Sequence, residues 1–226
     1  MVIVVGCSNT NRKQNMNLTS IKKQLGKYAL ELITVAFGVF LGMYVSEWKA
    51  QQKVNKNVNK SLSYILEELE TNKASLEKSY QYHQQISVSI DSLKSKLTEQ
   101  DMFLPYISND KFHHMSIEGW QGIVITNSED IAFESSKITG TLQEADIELV
   151  HLISKTYKHL DFNAEFGKTI LNKMISINSE TKVIDVLGTL ELLTSDFMNS
   201  EKVLLSELEK TIKQLKESFK AKVEHE

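Results

Sequence analysis

The sequence predicts a mainly α protein. Its expected architecture is a single N-terminal transmembrane helix continuing into a long helix, which packs with C-terminal helices as an elongated helical bundle or antiparallel coiled coil. Three observations carry this. One proline and nine glycines in 226 residues leave too little punctuation for an all-β fold. Apolar residues recur at 3-4 spacing over long stretches at both ends of the chain after Trp48. One early stretch, Leu32 to Val45, carries no charge at all.

That stretch is the first element. Tyr28 to Trp48 reads YALELITVAFGVFLGMYVSEW, and its 21 residues make a helix of roughly 30 Å. Tyr28, Tyr44 and Trp48 stand at its ends, where aromatic rings favour the headgroup region. Lys22, Lys23 and Lys27 precede it and Lys49 and Lys53 follow. Glu31 falls within the first turn, where a helix N-terminus favours an anion. A membrane span at 28–48 is therefore predicted in preference to a buried core helix. Within it Thr34, Gly38, Gly42 and Ser46 recur every four residues, a stripe of small side chains that lets another helix approach in lipid. These four are the candidate helix–helix contact residues.

Residues 1–27 form a short arm with Arg12, Lys13, Lys22, Lys23 and Lys27 and no acidic residue. Lys49, Lys53, Lys56 and Lys60 lie on the other flank, so the positive-inside rule favours a cytoplasmic N-terminus by a slim margin. In a bacterium this places the chain in the cytoplasmic (inner) membrane, with residues 49–226 periplasmic or extracytoplasmic. The opening MVIVVGC resembles the end of a lipoprotein signal at Cys7. Its apolar run is shorter than such signals need, with no basic residue ahead, and a start at Met16 competes with it.

The helical domain, 49–226, begins with a long helix at about 50–98. Leu62, Leu69, Leu76, His83, Ile90 and Leu97 recur every seven residues, and Ile65, Ile86 and Leu93 fill the intermediate seam. Asn72 and Ser79 are polar gaps in it. Residues 99–141 form an irregular insert with turn signals at Pro105, Asn109, Gly119, Gly122 and Asn127. In it Gly122–Thr126 (GIVIT) reads as a short strand or a buried connector, Ser128 as a helix start and Gly140 as a stop. Further helices are expected at about 144–177 and 191–222, the last with Leu205, Leu208, Ile212, Leu215 and Phe219 in register. Residues 178–190 (NSETKVIDVLGTL) are expected to hold a turn and a short helical segment. Two one-sided helices most simply bury their stripes against each other.

The net charge of −3 lacks the basic face of a nucleic-acid binder. Cys7 is the only cysteine, so neither an intrachain disulfide nor a thiolate cluster can form. Nucleophile elbows and phosphate loops are missing. Glu148 and His151 make one Glu-x-x-His at helical spacing, but a di-iron bundle needs two. His113 and His114 read as a polar turn, His83 as a polar notch in the seam, and Trp120 as core or a ligand-stacking ring. Glu67, Glu68 and Glu70 read as a solvated face. No catalytic, metal or cofactor site is expected, and no enzyme.

Lys27 to Trp48, the lysine-rich exit and the following SYILEELETNKASL resemble the opening of an uncharacterised bacterial family of single-pass membrane proteins. In that family an N-terminal span ending in a polar-tryptophan motif leads into a helical domain. Ala132 to Leu160 is similar to its second landmark, an aromatic residue, a glycine turn and a helix ending near a tyrosine. Here these fall on Phe133, Gly140 and Tyr157. The family more often carries Trp at the position of Phe133, and Asn at that of Ser46 or Glu47. The resemblance covers about 80 residues; it implies location and architecture, and no activity.

The expected function is a non-enzymatic, membrane-anchored adaptor or assembly partner. Its expected partners are the membrane, a second copy through the span or the coiled-coil arm, or another membrane protein. The alternative is an extracytoplasmic ligand or stress sensor that signals through a separate partner. A pocket lined by Trp120 favours the sensor; a solid insert favours the adaptor.

Overall fold

In the computed structural model, the backbone is described for residues 18–223 and the side chains for residues 26–220. Cys7, Met16, Arg12 and Lys13 lie outside the described residues. The helices are α1 (Leu18–Lys94), α2 (Glu99–Met102), α3 (Ile131–Ile138), α4 (Ile147–Ile175), α5 (Val183–Leu192) and α6 (Met198–Val223). Short 3-10 turns lie at His114–Ser116 and Thr141–Glu144, and a π-helical turn at Leu193–Phe197 joins α5 to α6. Among the described residues there is no β-strand beyond one isolated bridge between Pro105 and Lys182. The protein is an all-α helical bundle, and Gly122–Thr126 is a connector.

The chain divides into two compact units, 1–53 and 54–226. In the first, α1 holds an apolar segment of mean hydropathy 1.8, none of it buried within the chain. By length and composition this helix can cross a membrane.

In the second unit α1 buries the predicted seam. Leu62, Ile65, Leu69, Asn72, Leu76, Ser79, His83, Ile86 and Ile90 are all buried. Each fully buried Leu or Ile contributes about 1.5–3 kcal/mol of transfer free energy. Three contacts fix the direction of α6 against α1: Glu70 with Lys216, Lys73 with Glu209, and Ser79 with Glu201. One residue number rises as the other falls, so the two helices run antiparallel. Thr156 with Thr211 and Asn163 with Ser200 set α4 antiparallel to α6 in the same way. With α4 as a third member, the stripes close into a bundle rather than a two-helix coil.

The core has two parts. One cluster runs from Val58 to Leu76 on α1, with Phe133, Leu149 to Leu160 on α4, and Leu204 to Leu215 on α6. The other gathers Ile86 and Ile90 with Tyr106, Phe112, Ile117, Ile170, the apolar face of α5, and Phe197.

Element boundaries follow local chemistry. Helix α1 stops at Lys94 because Thr98 caps the next helix: its hydroxyl accepts from the Asp101 amide, and the Asp101 carboxylate accepts from the Thr98 amide. Asp146 caps α4 through the Leu149 amide at 2.9 Å. Helix α5 is the short helical segment expected within 178–190; it opens at Val183, where Asp185 accepts from the Lys182 amide at 2.9 Å, and runs on to Leu192. The predicted stop is Gly140, at φ +72°, a left-handed conformation that favours glycine.

Candidate functional site

Thr34, Gly38, Gly42 and Ser46 are all exposed. A Cβ added at Gly38 or Gly42 meets nothing within 4 Å, and the Thr34 hydroxyl donates to the Leu30 carbonyl at 2.9 Å. The stripe is thus open along the helix, and the Thr34 hydroxyl is turned back onto its own backbone.

In the helical domain the chemistry lies at polar positions of α1. Glu68 is buried, which corrects its assignment to a solvated face. Its carboxylate accepts the Ala132 amide at 2.7 Å, the Phe133 amide at 3.3 Å and the Tyr157 hydroxyl. Asp130 stands at the N-cap of α3 with no capping bond from its side chain. Glu68 therefore caps α3 from another helix, placing a carboxylate at a helix N-terminus. One turn on, Asn72 donates to the Glu129 carbonyl and accepts from the Glu129 amide, both at 2.7 Å. Burial, reinforced by Glu68, pushes the Tyr157 hydroxyl far above the ordinary tyrosine range. The Tyr157 ring stacks on Phe133 at 4.2 Å and 3°, and the Lys137 ammonium lies 4.9 Å from the Phe133 centroid. Phe133, Gly140 and Tyr157, singled out in the sequence, thus form the seat and turn of α3.

Further along α1, Ser79 and His83 both bond Glu201. The Ser79 hydroxyl donates to Oε1 at 2.6 Å, and His83 Nδ1 lies 2.8 Å from Oε2. The His83 and Glu201 side chains are fully buried, and His83 Nε2 has no partner. Phe197, from the π-turn, packs edge-on against the His83 ring at 5.4 Å. On α4, buried Asn163 donates to Ser200 at 3.2 Å. Together these groups form a polar layer between the two apolar clusters. His83 is the polar notch its heptad position predicts.

The first part of the insert packs around a small aromatic core. Tyr106, Phe112 and Ile117 are buried, and Trp120 packs edge-on against His114 at 5.6 Å. Tyr82 reaches over from α1, donating to the Gly122 carbonyl at 2.8 Å and accepting from the Gln121 amide at 3.0 Å. Asp101 accepts from the Thr98 hydroxyl at 2.6 Å and from the Lys111 ammonium at 2.9 Å, which hold its carboxyl down at about 2. The His113 and His114 rings are stacked at 5.1 Å rather than splayed. Their Nδ1 atoms are taken, by the Met115 amide and the Tyr106 hydroxyl. Burial, with His113 beside it, pushes His114 below the usual imidazole range. Glu148 and His151 are both exposed on α4. Among the described residues no three metal-ligating side chains converge.

Sequence reasoning missed Glu68, Tyr82 and Glu201 as structural anchors. Glu201 left a signal: it lies seven residues before Leu208 and fourteen before Leu215, a charge in the apolar register of α6. Glu68 left less, since it flanks the seam rather than occupying it.

These features define an all-α bundle in which, among the described residues, one apolar and unburied helical segment is long enough to cross a membrane. No protein family, curated protein or solved structure matches the chain.

Proposed function

We propose that the protein is a non-enzymatic adaptor or assembly partner, anchored in a bacterial cytoplasmic membrane by 28–48. On this reading its N-terminus is cytoplasmic and its helical domain extracytoplasmic. The observation that carries the proposal is the apolar segment of α1, wholly unburied beside a domain that satisfies its own core. An uncovered apolar surface of this kind calls for lipid or a partner. The open face of Thr34, Gly38, Gly42 and Ser46 is where a neighbouring helix in the bilayer would pack.

Packing around Trp120 supports the adaptor over the sensor, because its ring is spent on His114 within the insert. The small-residue face is tested by cysteine crosslinking at Gly42 in native membranes, with and without Gly38→Ile. Crosslinked adducts lost in the isoleucine variant are expected. Monomer alone, with no partner adduct, would sink the proposal. Reporter fusions to Met16 and Glu226 check orientation; an exported N-terminus would reverse it.

A further inference from the structure

A surface with a defined shape lies along α3. Ile131 and Ile138 are 74% and 84% exposed, and Ser135 between them is exposed too. At i, i+4 and i+7 they share one helix face, with a small residue at its centre. A groove runs along each flank. The one toward α1, of about 540 Å3, is walled by Tyr64, Glu67, Glu129, Ile131, Ser135 and Thr139 among others. The one toward α4, of about 530 Å3, is walled by Phe133, Lys137, Leu142, Val150, Tyr157 and Asp161 among others. A ridge between two grooves is the relief that helix-on-helix packing uses. This ridge is held in place beforehand by Glu68, Asn72 and the Phe133–Tyr157 stack, so little ordering cost remains for binding.

Charge selects the occupant. The wall of the α1-side groove carries Glu67, Glu68 and Glu129 and no lysine or arginine. Glu68 is consumed by α3, while Glu67 and Glu129 are exposed. Lys60 lies 5.6 Å from the ring of Tyr64, outside the wall itself. On the α4 side Lys137 and Lys158 balance Glu134 and Asp161, and Lys137 is already bonded to Glu134. A second copy docking through the same face in a two-fold dimer would set like carboxylates against each other. We infer that the α3 ridge and its two grooves dock an amphipathic helix of a different protein, apolar along Ile131 and Ile138 and basic along the flank facing α1. This rests on the adaptor reading and names the surface the adaptor uses.

The test uses the full chain in phosphatidylcholine nanodiscs and two synthetic helical peptides with the same leucine stripe. One carries lysines along one flank, the other glutamates. Fluorescence anisotropy is expected to show the lysine peptide binding about tenfold tighter. Added salt should weaken it, and Ile131→Ser with Ile138→Ser should cost about tenfold. Val203→Ser, on the exposed side of α6, should change nothing. Equal binding of the two peptides, or binding that survives the paired serine substitutions, overturns the inference. So does a sedimentation shift showing that this face closes on a second copy. A photoreactive residue at Ser135 separates the two readings in native membranes. Adducts through Gly42 but none through Ser135 would overturn the ridge and leave the adaptor standing.

Discussion

Glu68 shows how much one buried carboxylate can hold. It satisfies two amides at the start of α3 and the hydroxyl of Tyr157. Glu68→Ala strands all three donors, and a cost of about 3–5 kcal/mol is expected in denaturant unfolding. Glu68→Gln keeps the shape and one acceptor, and should fall between the alanine variant and the parent. Two pH windows follow from other titrating groups in the domain. Asp101 sits lower in the folded protein than in the unfolded chain, held by Thr98 and Lys111. Its stabilisation is complete above about pH 4 and is lost as pH falls toward 2. Asp101→Asn should flatten that part of the acid-unfolding curve. Tyr82, Tyr106 and Tyr157 are all raised by burial. Their contribution is whole below about pH 10 and declines as pH climbs past it. Spectrophotometric titration should show these three ionising above the ordinary tyrosine range, or only on unfolding. At this scale the sequence was least legible: a glutamate beside a seam looks like any solvated glutamate until α3 arrives from over sixty residues away.

Elements were read more easily, because periodicity is a local signal. The seam on α1 is legible down to its polar gaps, and each gap at Asn72, Ser79 and His83 proves to have a partner on another segment. The short helical segment expected in NSETKVIDVLGTL is α5, although Gly188 within it weakens the helical signal. The π-turn at Leu193–Phe197 was hidden, since one extra residue in a turn leaves no composition signal. It matters for packing: Phe197 stands edge-on to both His83 and Phe166. Gly167 on α4 makes room for it. A Cβ there would lie 3.0 Å from two carbons of Ile125 and 3.1 Å from the Phe197 ring. Gly167→Ala gains about 1 kcal/mol of helix propensity, against roughly 1–3 kcal/mol of overpacking. A net loss in thermal stability is expected, and Phe197→Leu should relieve part of it.

For the molecule as a whole, the fold class and the apolar segment were legible from pattern alone, whereas the division of the core into two clusters was not. That division is made by Ser79 and His83 on α1, Asn163 on α4, and Ser200 and Glu201 on α6, three stretches far apart in the chain. Removing one side of the buried pair, by Glu201→Ala or His83→Ala, should cost about 3–5 kcal/mol. Replacing both with leucine should cost far less than the sum in a double-mutant cycle. Such a variant keeps stability while losing the bonds that fix α1 against α6, so a blurred near-ultraviolet dichroism is its expected mark. The layer also bears on how the domain breathes. Apolar contacts propagate cooperativity, and a polar stratum interrupts them, so the two clusters should open as separate exchange units. Amides around Tyr106, Phe112 and Ile117, set in irregular backbone, should trade hydrogen for deuterium through openings smaller than those of Leu62 to Leu76. A domain built this way can loosen one end while the other keeps its grip.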